Sequence, residues 1–245
     1  KTRFWMSIIN HKGEILRKLP LKNKKGLQRT TWDLRTESIR PILTVDKWTE
    51  NSSGQMVAPG NYSAVLLKED QGKLSILTDT IHFIVKKLWE PTLPSASPDA
   101  VAAFWKELEF VSAEHNSLQI KMKKALDKSE KMALAYKKLN SFSEELYGEI
   151  FSIRKELQEL EVEMNNPKAI RELELDYKPT ISNRIQTAYM GVRSSSYGPT
   201  PLIQESLDIA TEEMLVIQEK LKLSQAKLSM IESKLKELGA PEIID

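Results

Sequence analysis

The chain has 245 residues, 40% of them hydrophobic and 29% charged, and a formal net charge of +2 at pH 7. It holds no cysteine, which excludes disulfide bonds and thiolate chemistry, and no apolar run approaches the roughly 20 residues of a membrane-spanning helix. The length suits about two domains. Charge is divided unevenly between them, since residues 1–94 carry 16 Lys/Arg against 9 Asp/Glu, a net of +7, and residues 95–245 carry 20 against 25, a net of −5.

Short runs of alternating residues, separated by turns, predict antiparallel strands in the first 90 residues. Strands over residues 4–9 and 14–19, joined by a turn at 11–13, predict a hairpin. Three further strands are predicted at residues 27–34, 60–68 and 74–86, the last broken near 78–79, with a tight turn at Gln71-Gly72. We expect Trp32 and Leu34 to fill the core. The strand spacing predicts an immunoglobulin-like β-sandwich over residues 1–90.

A basic cluster lies around the connection between the second and third predicted strands. Its members are Lys18, Lys22, Lys24, Lys25 and Arg29. Such clusters can bind nucleic acid or another polyanion, but this one lacks interleaved aromatic residues and a recognisable binding module. We interpret it as a solvated hairpin loop, since lysines are mostly exposed, and predict no nucleic-acid partner. The opposite charges of the two halves would also favour docking of the sandwich on the helices.

Prolines at and near residues 91–97 keep the backbone extended, so this stretch is predicted to be a linker between the domains. Ser97-Pro98-Asp99 then supplies an N-cap, a proline at the first helical position and an acid in the first turn. A helix is therefore predicted to begin here.

Beyond residue 98 the apolar residues recur at spacings of three and four, the heptad pattern of packed helices. Seams of this kind run over residues 101–139, 146–164 and 203–238, with shorter helical stretches at 170–175 and 181–192. The second seam stops at Asn165-Asn166-Pro167, and Gly239 and Pro241 close the last. Residues 98–245 are thus predicted to form an antiparallel helical bundle or coiled-coil hairpin of three to four helices, and the whole chain an α+β multidomain fold.

Further apolar residues lie beside the main seam of the last helix. They recur every seven residues, at Leu202, Ile209, Val216, Leu223 and Met230. Because they lie beside the seam and not in it, they form a candidate interaction surface.

No arrangement of side chains points to catalysis, a metal or a cofactor. His11, His82 and His115 fall in a turn, a strand and a helical seam, and no carboxylate pair at metal-ligand spacing lies beside them. We interpret His115 as a satisfied or edge-lying seam residue in preference to a pH-sensitive packing defect. No phosphate loop, nucleophile elbow or Ser/His/Asp order is present. We therefore predict no catalytic, cofactor-binding or metal-binding residue in this segment.

The run GLQRTTWDLR at residues 26–35, followed by APGNY at 58–62, resembles the C-terminal Ig-like domain of bacterial sortilin-like, BNR-repeat β-propeller proteins. The runs PTP at residues 199–201 and LGAP at 238–241 are similar to the helical tail that ends those chains. The resemblance covers nearly the whole chain, although Gln28 stands where the family often has Asn.

The resemblance implies a large exported protein of the Bacteroidetes or a relative, located in the periplasm, at the outer membrane or on the cell surface. We expect the beginning of that protein to have been removed, and any hydrolase site to lie in the upstream propellers. The segment itself is then a non-catalytic structural and interaction region, which docks its own β-propellers or a cell-envelope protein.

An alternative function is that of an accessory, carbohydrate-binding module of a sialidase-like glycan-processing enzyme. Trp48, in the long irregular stretch over residues 36–58, is the candidate glycan contact. Tyr62 is interpreted as a core or corner residue in preference to a second contact. Asp79-Thr80-Ile81 resembles the short O-glycosylation motif of exported Bacteroidetes proteins, which makes Thr80 a candidate modification site.

Overall fold

The computed structural model describes residues 2–42, 53–165, 172, 178–195 and 197–244. The chain divides into two compact units, Lys1–Phe110 with Ser194–Pro199 and Val111–Arg193 with Thr200–Asp245. The described residues form antiparallel β-sheets followed by four packed helices, two of them long. This confirms the predicted α+β class.

Seven strands lie within the described residues of the first unit. They are β1 (Arg3–Asn10), β2 (Ile15–Leu21), β3 (Arg35–Glu37), β4 (Ser53–Met56), β5 (Gly60–Asp70), β6 (Lys73–Ile76) and β7 (Ile81–Val85). The larger sheet has the order β2-β1-β5-β6, and β3 and β4 form a separate two-stranded sheet. β7 and β6 share the second edge of β5, because β7 pairs with residues 60–64 and β6 with residues 67–70.

Both predicted tight turns are confirmed. At the β1–β2 turn, Asn10 Oδ1 accepts the backbone N–H groups of Lys12 and Glu14 at 3.0 and 2.9 Å. Gln71 and Gly72 join β5 to β6 with φ values of 49° and 78°, the pair of positive angles that a two-residue hairpin turn requires. The predicted break near residues 78–79 separates β6 from β7.

The predicted strand over residues 27–34 is wrong, because the chain turns before β3 begins at Arg35. Asp33 Oδ1 accepts the backbone N–H of Arg35 at 3.1 Å, and Leu34 adopts a left-handed φ of 59°. An Asp that bonds to the backbone two residues on offers the chain an alternative to a ladder. Leu27 is fully exposed and Leu34 is 38% exposed, so the expectation that Leu34 fills the core is also wrong.

The linker before the first helix is tied to the connection before the last. Ala96 N donates to Tyr197 O at 2.9 Å. Gly198, next along the chain, has a φ of +91°, and a Cβ there would lie 2.7 Å from Ala96 Cβ and 3.0 Å from Val101 Cγ2. Both the backbone conformation and the lack of space require glycine at this position.

The described residues contain four helices. They are α1 (Pro98–Tyr136), α2 (Glu144–Met164), α3 (Ile181–Arg193) and α4 (Pro201–Glu237). α1 begins where predicted, and Ser97 Oγ accepts the Ala100 N–H at 3.2 Å as an N-cap does. α4 ends at the predicted glycine signal, where Ala240 N donates to Leu235 O at 2.9 Å. Apart from residue 172, the predicted helical stretch at 170–175 lies outside the described residues.

Most of the predicted seam residues are buried. The exceptions in the first predicted seam are Val101, Tyr136 and Leu139, which are half-buried, and Leu139 lies beyond the end of α1. All six predicted seam residues of α2 and all four of α3 are buried, and so are ten of the residues predicted for α4. Leu238, the last in the predicted seam, is 46% exposed because it follows the end of α4. In α1 the buried seam includes two polar residues, His115 and Ser129.

α2 and α3 both run antiparallel to α4 and lie one after the other along it. Arg184 of α3 lies opposite Glu213 of α4, and Gly191 lies opposite Ile203. Three ion pairs join α2 to α4 in antiparallel order, Glu149 with Lys234, Glu156 with Lys227 and Glu163 with Lys220. α2 therefore covers the C-terminal part of α4, and α3 covers its N-terminal part.

α1 also runs antiparallel to α2. Glu130 binds Arg154 at 2.9 Å and Gln119 binds Asn165 at 2.7 Å. α1 also contacts α4 directly, since Lys128 binds Glu232 at 2.6 Å. A cross-section of the second unit therefore contains three helices, α1, α4 and either α2 or α3. Near the interruption between α2 and α3 the buried residues include the polar side chains of His115 and Thr180.

Candidate functional site

The outer face of α4 carries the apolar residues that lie beside its seam. Leu202, Val216, Leu223 and Met230 are 71%, 53%, 63% and 65% exposed, and Ile209 is half-buried. Seven residues are close to two helical turns, so these five side chains share one face. We call them the outer stripe. Four of them expose large apolar side chains to solvent, which is the arrangement that marks interaction surfaces.

A row of charged residues on α4 borders the outer stripe on the side of α2 and α3. Glu213, Lys220 and Lys227 each precede a stripe residue by three positions, and residues three apart are neighbours on a helix. Their partners are Arg184 at 3.3 Å, Glu163 at 3.6 Å and Glu156 at 2.8 Å, respectively. These pairs hold α2 and α3 beside the stripe and leave the stripe itself uncovered.

Acidic residues border the other side of the stripe. Glu205, Glu212 and Glu219 each follow a stripe residue by three positions and are exposed. Within the described part of the chain none of the three forms a salt bridge, and residues 201–219 contain no Lys or Arg. The N-terminal half of this surface is therefore apolar and negatively charged.

A partly buried polar cluster lies where α2 ends and α3 begins, and we call it the polar junction. Ser182 Oγ donates to Asn165 Oδ1 at 2.7 Å, and Gln119 Nε2 donates to the same oxygen at 2.7 Å. His115 is 6% exposed, and its Nε2 lies 3.1 Å from Ser182 Oγ. Since the single hydroxyl proton of Ser182 goes to Asn165, Nε2 of His115 is the donor in the last contact.

Burial lowers the pKa of His115 below its ordinary value, because the low-dielectric interior disfavours the charged imidazolium. The ring is therefore mostly neutral at pH 7, and its Nε2 is engaged in the polar junction. His115 is thus a seam residue with a hydrogen-bond partner, as interpreted, but its burial also makes it sensitive to pH, which that interpretation did not favour.

Three aromatic rings form a cluster beside the two-stranded sheet. Trp32 meets Tyr62 and Phe83 edge-on, with ring centroids 5.7 and 6.0 Å apart, and its Nε1 donates to Arg35 O at 2.8 Å. Tyr62 is buried and its hydroxyl donates to Ala58 O, which confirms the core or corner interpretation. The indole N–H of half-buried Trp32 and the hydroxyl of buried Tyr62 thus both have hydrogen-bond partners within the protein.

Arg17 of β2 is a buried charge that the sequence analysis missed. It is 9% exposed, and its guanidinium donates to Thr36 O at 3.0 Å and to Ser53 Oγ at 3.2 Å. Ser53 Oγ in turn donates to Asp33 Oδ2 at 2.6 Å. Burial acts to raise the pKa of Asp33, but hydrogen bonds from Ser53 and Arg35 outweigh it and lower the pKa below its ordinary value. This network joins the two sheets.

The basic loop over residues 22–30 borders a cleft of about 780 Å³ against the larger sheet. Lys22, Lys24, Lys25 and Arg29 line it and are exposed, as predicted. The interpretation as a solvated loop did not predict that these cations lie beside an apolar surface, the floor of the cleft, which is formed by the larger sheet. We call this feature the basic cleft.

The remaining candidate residues are not brought together. Trp48, the candidate glycan contact, lies outside the described residues. Thr80 is exposed in the connection between β6 and β7, and His11 and His82 are exposed. Across the described ranges, no group of three or more His, Asp or Glu residues is placed to hold a metal ion.

No protein family, curated protein or solved structure was found to match this chain. Within the part that the structure describes, no helix combines the length and the apolar character needed to cross a membrane.

Proposed function

We propose that this chain is a non-catalytic structural and protein-interaction region, with the outer stripe of α4 as its docking face. The observation that carries the proposal is the exposure of apolar side chains at seven-residue spacing next to a seam that is already buried. A helix that packs one face in its own bundle ordinarily has a polar opposite face. A second apolar row is stabilised only when another surface covers it.

The flanks of the stripe define the chemistry of the partner. One flank is occupied by ion pairs within the bundle, whereas Glu205, Glu212 and Glu219 on the other flank have no cationic partner among the described residues. A partner surface that combines apolar side chains with neighbouring Lys or Arg residues complements both features. Association should therefore weaken as salt is raised.

The resemblance of residues 26–35 and 58–62 supports a more specific proposal about context. In this proposal residues 1–90 are an Ig-like module, and the chain is the C-terminal region of an exported sortilin-like β-propeller protein. The hydroxyl contact from Tyr62 to Ala58 O resembles the tyrosine corner of Ig-like sandwiches. The partner is then one of the protein's own propellers or a cell-envelope protein.

Site-specific cross-linking tests the docking face. A photo-reactive phenylalanine derivative is placed at Val216 or Leu223 of the stripe, or at Ser229, an exposed residue of α4 outside it. In cells of the organism that makes this chain, we expect adducts from Val216 and Leu223 and none from Ser229. The adduct should contain an exported propeller or envelope protein. Equal adducts from all three positions, or none from the stripe, would contradict the proposal.

A further inference from the structure

The floor of the basic cleft is one apolar face of the larger sheet. Met6 of β1 pairs with Leu66 of β5, so both side chains lie on the same face, and Phe4 shares it because alternate residues of a strand point the same way. Ile81 of β7 pairs with Ala64 of β5, two residues before Leu66, and therefore extends the same face. All of these residues line the cleft.

This floor is left open because the chain above it does not form a strand. In a filled sandwich, side chains from residues 27–34 would pack against it. Instead Leu27 is fully exposed, and Ile81, on this face of the sheet, is 64% exposed. The apolar face at this end of the sheet is thus available to a ligand.

Every charged residue in the wall of the cleft is basic. Lys22, Lys24, Lys25 and Arg29 line it, and no Asp or Glu is among the lining residues. Within the described residues none of the four cations forms a salt bridge. Four uncompensated positive charges beside an apolar floor favour a ligand that brings its own negative charge.

From this arrangement we infer that the basic cleft binds a small amphipathic anion, a single hydrocarbon chain with a carboxylate at one end. The chain lies on Phe4, Met6, Leu66 and Ile81, and the carboxylate is held by the cations of residues 22–29. The volume of about 780 Å³ falls within the roughly 300–1,000 Å³ of small-molecule sites. A mainly apolar lining with a few placed charges is also typical of such sites.

Isothermal titration of the full 245-residue chain with octanoate, decanoate and dodecanoate tests this inference. We expect saturable binding, about fourfold tighter for each added methylene that reaches the floor, and weaker binding as salt is raised. Dodecyltrimethylammonium, which has the same chain and a positive head, should bind far more weakly. Butyrate, which has the head and almost no chain, should show no measurable binding.

Matched variants separate the two parts of the site. Lys24→Ala with Arg29→Ala should weaken dodecanoate binding about fivefold to tenfold, as expected for two exposed charges. Lys12→Ala with Lys73→Ala changes the net charge equally, away from the cleft, and should have little effect. Ile81→Glu should abolish binding, whereas Ile84→Glu, on the opposite face of the same strand and 62% exposed, should not.

Three results would each overturn the inference. They are the absence of saturable binding, equal binding of the cationic and anionic amphiphiles, and binding unaffected by Ile81→Glu. Tighter binding of an oligoglutamate peptide than of dodecanoate would also overturn it, because the cleft would then recognise an acidic polypeptide. Far-ultraviolet circular dichroism of every variant establishes that a loss of binding is not a loss of fold.

Discussion

His115 in the polar junction should make the stability of the helical unit depend on pH. Its pKa in the folded state is lowered by burial, whereas in the unfolded chain it stands near the ordinary value of about 6.5. Below that value the unfolded state binds a proton that the folded state does not. Stability therefore falls as the pH falls, with a limiting slope of about 1.4 kcal/mol per pH unit.

The size of the effect between two convenient pH values follows from this slope. Between pH 7.5 and 5.5 the unfolded histidine gains nearly one proton and the folded state gains less, so the free energy of unfolding falls by up to about 1.4 kcal/mol. His115→Gln removes the titrating group and keeps an amide that reaches Ser182. The variant should lack this part of the pH dependence, whatever its stability at pH 7.5.

Urea unfolding followed by helical circular dichroism at pH 7.5 and 5.5 provides the measurement. The relevant quantity is the pH-induced change in the wild type minus that in His115→Gln, because other titrating groups cancel. His11→Gln, at an exposed turn, is the control and should behave like the wild type. Equal pH dependence of the wild type and His115→Gln would refute the reasoning.

Three further predictions concern stability. In urea unfolding, Gly198→Ala should lower the free energy of unfolding by about 2–4 kcal/mol, because of backbone strain and overpacking. Gly13 also has a positive φ but lies in open space, so Gly13→Ala should lower it by only about 1 kcal/mol. Trp32→Ala should cost about 3 kcal/mol and broaden the NMR signals of its ring neighbours; unchanged stability would contradict the aromatic cluster. Leu157→Ala in the buried seam should lower the free energy of unfolding by about 2–5 kcal/mol. Phe151 is 63% exposed on the same helix, so Phe151→Ala should lower it by less than about 0.5 kcal/mol. Similar shifts of the thermal midpoint for the two variants would contradict the assigned seam.

The helices were predictable because their periodic pattern is local and strong. Apolar residues at spacings of three and four identified the buried seams, and local signals such as Ser97 and Gly239 identified two of the ends. The end-to-end placement of α2 and α3 along α4 was not predictable. It depends on contacts such as that of Glu156 with Lys227, which are 71 residues apart in sequence, and periodicity does not specify which helices pair.

The first unit was predictable where a strand and its turn agreed, as at Gln71-Gly72. It was not predictable at residues 27–34, where alternation suggested a strand but the Asp33 side chain bonds to the backbone and Leu34 turns left-handed. This local failure also accounts for the basic cleft, since the missing strand leaves the floor of the sheet open. A sandwich predicted from alternation assigns every alternating run to a strand that packs on the core, so it does not predict a run that leaves one face of the sheet open.

The central claim is that the outer stripe of α4 is a docking face, and co-purification from the native membrane fraction tests it most directly. The wild-type chain should be recovered with an exported propeller or envelope protein. Leu223→Asp with Met230→Asp should reduce the affinity about thirtyfold or more, the weakening that a 2 kcal/mol interface residue gives, without loss of fold, because both positions are exposed. Recovery of the wild type only as a free monomer, or undiminished binding of the double variant, would contradict the claim.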